Sequence, residues 1–331
     1  QDPRIGIVGP KLIYPDGKIQ FAGGFRSGED PRWWDHYYKF YPQSYLPANI
    51  PWDVTAVTGA CMYIKEEVLK TVGLFDERFD MSLEDVDFCL RSWEKGFKVL
   101  YCPFSTLVHL EGAVRGKTIG RREVSSARHF GKKWGERLEG RKVTNPSGKL
   151  KIIYILPETD VGGGARLAFE HLNRLKERGH DTYLYTTRGK PDWFDLKATV
   201  KVFKNLSSLE EDLSKREAIK VATWWETAPI VWRASIFRGV PVYFVQDIET
   251  SYYRDDLLSQ AKVLASYRNE FSYLTESLWV RDQLVLLGHR PEVISPGIDR
   301  QVFRELKNIK RRDDRLLAIG REHYLKNLPL T

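Results

Sequence analysis

Apolar and polar positions along this 331-residue chain form two successive patterns separated by a short polar stretch. In the first pattern, apolar runs over residues 5–14 and 19–25 flank Pro15-Asp16-Gly17-Lys18. Pro and Asp-Gly supply turn dihedrals, so the spacing predicts a hairpin. Residues 54–64 read as a strand, and 65–72 as a helix stopped by Gly73. Between residues 84 and 95, Val86, Cys89, Leu90 and Trp93 recur at helical spacing, with Ser82 ahead of the run and Gly96 as its C-terminal cap. Two short strands, 98–102 and 106–109, and a basic helix or helix pair over about 117–138 complete this part.

Residues 140–149 carry Gly, Arg, Lys, Asn, Pro and Ser without apolar periodicity, which makes them a linker between a region 1–139 and a domain 150–308. The second pattern opens with a continuous apolar strand, 150–156, then Gly162-Gly163-Gly164 as a tight turn. An amphipathic helix over 165–178, capped by Gly179, and a strand over 181–186 follow. Strand, glycine turn, helix and strand make a βαβ unit, so an α/β fold with a Rossmann-like parallel sheet is expected. Strands at 199–203, 219–223, 240–245, 271–275 and 292–294 continue the alternation. A last strand, 316–320, would begin a further domain over 309–331 that is expected to be truncated, just as Gln1-Asp2, leading straight into an apolar run, suggests a piece of a longer protein.

At 42% apolar residues the chain can bury two cores. No stretch approaches the roughly 18–20 consecutive apolar residues of a membrane helix. Cys61, Cys89 and Cys102 are odd in number and lack ligand-like spacing, which favours reduced core thiols and a cytoplasmic setting over disulfides or zinc. The formal charge of +8 points to anionic partners, among them nucleotide sugars, nucleic acid and acidic membrane surfaces. Basic residues gather in 115–133 and 307–315, where solvated helix faces explain them equally well.

Phe75-Asp76-Glu77-Arg78-Phe79 followed by Glu84-Asp85-Val86-Asp87, with Thr58-Gly59-Ala60-Cys61 upstream and His109 downstream, resembles family 2 glycosyltransferases of the GT-A fold, especially bacterial rhamnosyltransferase-type enzymes. The resemblance implies that residues 1–139 are the acceptor part of such an enzyme, with Gly59 and Ala60 at the acceptor, Asp85 beside Glu84 as catalytic base, and His109 as ligand of a divalent Mg²⁺ or Mn²⁺. A carboxylate suits an inverting transfer, which needs a base for the acceptor hydroxyl. Glu84 and Asp85 would otherwise complement the helix dipole, and Asp87 is expected to form a surface pair with Arg91 four residues on. Nothing before Val54 resembles the family's aspartate-rich strand end or its Asp-x-Asp motif, so an acceptor site without a donor site is expected.

Gly162 to Gly164 lack the Gly-x-Gly-x-x-Gly spacing of a dinucleotide fingerprint. With Phe244-Val245-Gln246-Asp247-Ile248-Glu249, Thr275-Glu276-Ser277, Ser295-Pro296-Gly297-Ile298-Asp299 and Ile319-Gly320-Arg321 followed by Lys326, they are similar to family 4 glycosyltransferases of the GT-B fold. That likeness implies a first GT-B domain with Gly163, Gly164, Gln246, Asp247 and Glu249 at the acceptor. It also implies Arg321 and Lys326 on the donor diphosphate, and no cofactor. Trp224-Trp225-Glu226 ends a strand where a sugar ring could stack or a core could pack.

The expected function is sugar transfer from nucleotide-sugar donors to a cell-surface polysaccharide, of the O-antigen or capsule kind, or its lipid-linked precursor. Peripheral contact with the inner face of the plasma membrane would accompany it. A non-catalytic glycan-binding or scaffold module is the alternative. A nucleic-acid binder is disfavoured because no reading motif is present.

Overall fold

The computed structural model describes residues 2–28, 30, 32–110, 120–139, 148–300, 304, 305 and 314. In the first half, the long apolar run forms β1 (Ile5–Ile13) and the Pro-Asp-Gly turn returns it antiparallel into β2 (Ile19–Phe21). The expected second hairpin strand is broken at Gly23, whose φ of 106° lies in the left-handed region, so the chain turns into β3 (Gly24–Arg26), paired with β4 (Trp34–His36). Strands β5 (Trp52–Asp53) and β6 (Tyr63–Ile64) are short. The expected strand over 54–64 is therefore largely absent. Val54, Thr55, Ala56 and Val57 are all buried, and a segment enclosed on every side has no alternating face to lay on a sheet.

Helices α1 (Glu66–Val72) and α2 (Glu84–Glu94) follow; Gly73 and Gly96, at φ 88° and 84°, let the chain leave them. The two expected short strands are one, β7 (Lys98–Val108), parallel to β1 with a register irregularity opposite Pro10 and Lys11. The first sheet runs β2-β1-β7-β5, with β6 on β1. Helix α3 (Arg121–Glu139) buries Phe130, Trp134 and Leu138, with the Phe130 ring against Trp34 and Phe79.

The second half alternates β8 (Lys151–Ile155), α4 (Gly163–Glu177), β9 (Asp181–Thr186), β10 (Thr199–Val202), α5 (Leu206–Ser214), β11 (Ile219–Ala222), α6 (Ala228–Ala234), β12 (Val240–Val245), α7 (Leu257–Ser266), β13 (Ser272–Thr275), α8 (Leu278–Leu286) and β14 (Glu292–Val293). The sheet is seven-stranded, with order β10-β9-β8-β11-β12-β13-β14, and every pairing in it is parallel. The α/β class with a parallel sheet is as the sequence pattern predicts. Strand order reverses between β8 and β11, where open α/β sheets form a crevice beyond the strands' carboxyl ends. Gly163 and Gly164 are the first residues of α4 rather than a turn.

The first sheet and the seven-stranded sheet are separate, yet one continuous apolar core runs from Ile7, Trp52 and Trp134 to Trp232, Tyr243 and Tyr273. Cys89 is buried, Cys61 and Cys102 half-buried, and all three are free thiols. No helix among the described residues is long and apolar enough to cross a membrane.

Candidate functional site

Asp85 lies in the first turn of α2 and reaches back to the Gly59-Ala60 loop. Its Oδ2 accepts the Gly59 N–H at 2.7 Å and its Oδ1 the Val86 N–H at 2.8 Å, so the carboxylate is pinned from both sides. Gly59 and Ala60 are exposed, whereas Asp85 and Glu84 are half-buried. The Gly-Ala segment and the Glu-Asp segment are thus neighbours in space. Immediately before α2, Ser82 and Leu83 both have positive φ, 70° and 68°. Two consecutive non-glycine residues there cost roughly 1–2 kcal/mol each, and such strain tends to concentrate at functional sites. The turn is held by the Met81 N–H donating to Ser126 Oγ of α3 at 3.0 Å.

Asp87 departs from expectation. It does meet Arg91, at 2.8 Å, but it is fully buried rather than on the surface. Its Oδ1 also accepts Trp134 Nε1 at 2.8 Å and faces Lys133 Nζ at 2.7 Å. Lys133 bridges to Asp76 at 2.9 Å, and Asp76 accepts the Arg78 guanidinium at 2.8 Å. That guanidinium, with Lys133 and His129, holds the Asp76 carboxyl well below the usual carboxylate range. Asp76 and Asp87 therefore join α2 to α3 beneath Asp85. The spacing of the Phe-Asp-Glu-Arg-Phe segment gave no sign of this, because the partner lysine and tryptophan lie about 50 residues on.

His109 follows β7, its Nδ1 2.8 Å from Gln20 Oε1. Among the described residues no group of three or more His, Cys, Asp or Glu side chains could hold a metal ion.

In the second half, a cleft of about 1630 Å³ opens at the carboxyl ends of β8, β11, β12 and β13. It gathers Gly163 and Gly164 with Gln246, Asp247 and Glu249, two short segments far apart in sequence. Gln246 packs so closely on α4 that a Cβ on Gly164 would come within 2.6 Å of its Oε1. Trp224 and Tyr252 line the same cleft with ring centroids 5.7 Å apart, and the Tyr252 hydroxyl donates to Asp247 at 3.2 Å. Glu276, already part of the Thr275-Glu276-Ser277 motif, lines it too, as do Arg166 and His171 of α4, which the sequence did not single out as site residues. Arg321 and Lys326 lie outside the described residues.

Glu249 is only 2% exposed. Its Oε2 accepts the Trp225 N–H at 2.9 Å and the Tyr243 hydroxyl at 3.1 Å, which fastens the loop after β11 to the loop after β12. Burial lifts its carboxyl to about 8, with Asp247 and Glu226 adding like-charge repulsion. The folded protein thus holds Glu249 protonated where the unfolded chain ionises it. Stability is lost as pH rises from the ordinary carboxylate range to about 8 and is level above that. At about 1.4 kcal/mol per pH unit, the loss is roughly 2–5 kcal/mol. Glu249→Gln keeps an acceptor for both donors, so urea unfolding at pH 5 and pH 9 is expected to show a variant level with the parent at pH 5 and more stable at pH 9. Equal slopes for the two proteins would place the titration elsewhere.

No known family profile matches the chain. Over 126 residues it is 34% identical to an uncharacterized protein, y4gI, of Sinorhizobium fredii, covering 35% of this chain and 13% of that relative. Over 128 residues it is 33% identical to the O-antigen biosynthesis protein RfbC of Myxococcus xanthus, covering 35% of this chain and 9% of the relative. It is also 28% identical over 128 residues to an N-acetylglucosaminyl-diphospho-decaprenol L-rhamnosyltransferase of Mycobacterium tuberculosis, covering 35% and 40% of the two chains. The chain spans less than half the length of each of these relatives. Among solved structures, Anabaena Alr3699/HepE in complex with UDP-glucose aligns with 48% of this chain and 47% of its own at 14% identity, with a TM-score of 0.40.

Proposed function

We propose that the chain belongs to a sugar transferase that extends a cell-surface polysaccharide or its lipid-linked precursor from nucleotide-sugar donors. On this reading, residues 1–139 are the acceptor part of a family 2-like GT-A module and residues 150–308 the first domain of a family 4-like GT-B module. The observation that carries it is the Asp85 carboxylate fixed against the exposed Gly59-Ala60 loop by the 2.7 Å bond from Gly59. There, Asp85 takes the proton of an acceptor hydroxyl as that oxygen bonds to the anomeric carbon, and the bond to the departing nucleotide diphosphate breaks with its electron pair on the diphosphate. Backbone N–H bonds to both carboxylate oxygens aim the base. Relatives named for O-antigen biosynthesis and for rhamnosyl transfer support this class of chemistry.

In the second half, the cleft beyond the strands' carboxyl ends supports acceptor binding, with Trp224 and Tyr252 as stacking surfaces for sugar rings. A glycan-binding role without transfer is the second reading, favoured by those same rings. The 331-residue chain by itself is expected to bind acceptor glycans weakly and to turn over no nucleotide sugar. Incubation with a panel of nucleotide sugars and a lipid-linked acceptor, followed by mass spectrometry, checks this; robust turnover by this chain would overturn the division into acceptor and donor parts.

A further inference from the structure

The seam between the two halves is built as an interior. Glu270, in the turn between α7 and β13, accepts Trp232 Nε1 of α6 at 2.8 Å, Thr55 Oγ1 at 3.4 Å and, in a short bond, the Tyr37 hydroxyl. Two of these three donors come from the first half, and Tyr37, Thr55 and Trp232 are all buried. Beside it the Arg268 guanidinium, 3% exposed, lies between the Trp232 ring at 3.8 Å and the Trp52 ring of the first half at 4.5 Å. Trp93 meets Trp232 edge-on at 5.9 Å, and Trp134 stacks on Phe237 at 6.2 Å. At the rim a run of alternating charges crosses the boundary once: Asp2 with Lys98 at 2.8 Å and Lys98 with Asp53 at 3.4 Å lie in the first half, Asp53 reaches Arg233 of the second at 3.0 Å, and Arg233 meets Glu210 at 2.7 Å.

Mobile domains on a linker meet through small, wet, polar contacts. Here desolvated aromatic rings and an arginine held by two of them take the centre, and ion pairs form the rim, as in interfaces that do not open. Moving the halves apart would strip Glu270 of two donors and Arg268 of one ring, and would expose Trp52, Trp134 and Trp232 together.

We propose that the two halves form one rigid body closed by the Glu270–Arg268 clamp, so that the Asp85 site and the β8–β13 cleft are held at a fixed separation and do not swing about the 140–149 linker. This goes beyond the sugar-transfer reading and does not depend on it. Its consequence for two sites acting on one chain is that a glycan passing between them moves along the protein surface, because the domains do not carry it.

The test uses the full chain with a specific protease site placed between residues 140 and 149. After complete cutting, the two pieces are expected to sediment as one particle of the uncut mass at 1 µM (about the concentration at which weak contacts dissociate) and to unfold in one transition with the same midpoint by far-ultraviolet circular dichroism and tryptophan fluorescence. Separation of the pieces, or two independent transitions in the uncut protein, would overturn the proposal. Glu270→Ala in the cut protein is expected to raise the dissociation constant of the pieces at least tenfold, whereas Glu66→Ala, at an exposed pair with Lys70, leaves it unchanged. An unchanged constant for Glu270→Ala would remove Glu270 from the clamp and overturn the proposal in that form.

Discussion

Asp85→Asn in the full-length protein is expected to slow the first sugar transfer by about 10²- to 10⁴-fold while the fold is kept. The carboxylate holds two backbone N–H bonds, from Gly59 and Val86, one on each oxygen. Asparagine has one oxygen to offer, so one of these bonds is lost at a cost of about 1 kcal/mol. That is well short of the effect of removing a general base, so rate and stability separate the two roles. Kinetics with a lipid-linked acceptor and a thermal melt of the same preparation check it. A rate above about a tenth of the parent's would leave Asp85 as a helix-start charge that merely fastens the Gly59 loop.

Asp87→Asn is expected to act the other way round, lowering stability by about 3–5 kcal/mol. Asp87 has no exposed surface, and its two oxygens serve Arg91, Trp134 and Lys133. The amide can still accept from Trp134, but it leaves two cations beside an uncharged group in the interior. Replacing one member of a buried ionic cluster strands its partners, and that desolvation dominates over the modest worth of an i,i+4 pair in solvent. Urea unfolding reads the change directly; a loss under about 1 kcal/mol would mean that α3 does not lock α2 as described. Because α2 carries Asp85, activity loss in this variant is expected to follow the folded fraction and to recover at low temperature.

Periodicity and turn chemistry made much of the fold legible. The parallel alternation of the second half was readable because strands such as β8 and β12 are short, almost wholly apolar runs bounded by glycine or helix signals, the pattern of a sheet covered on both faces. Residues 54–64 misled for the opposite reason: their apolar content reflects burial of an irregular segment, which composition does not distinguish from a strand. Resemblance of motifs singled out Gly59 and Asp85, and Gly163, Gly164, Gln246, Asp247 and Glu249, but the bond from Gly59 to Asp85 and the shared cleft are seen only in the structure. Asp87 was misplaced because an aspartate four residues before an arginine reads as a solvated pair until the distant Lys133 and Trp134 are brought in. The clamp of Arg268 and Glu270 was invisible for the same reason, since its partners Tyr37, Trp52 and Thr55 lie more than 200 residues earlier.

The central claim is that Asp85 serves as the base for transfer of a sugar to a glycan acceptor. It is tested most directly by giving the full-length protein nucleotide sugars and a lipid-linked acceptor, and weighing the acceptor by mass spectrometry before and after, for the parent and for Asp85→Asn. The account predicts acceptor heavier by whole sugar units with the parent and unmodified acceptor with Asp85→Asn of equal thermal stability. An acceptor that gains no sugar from the parent with any donor, or gains it equally from both proteins, would contradict it.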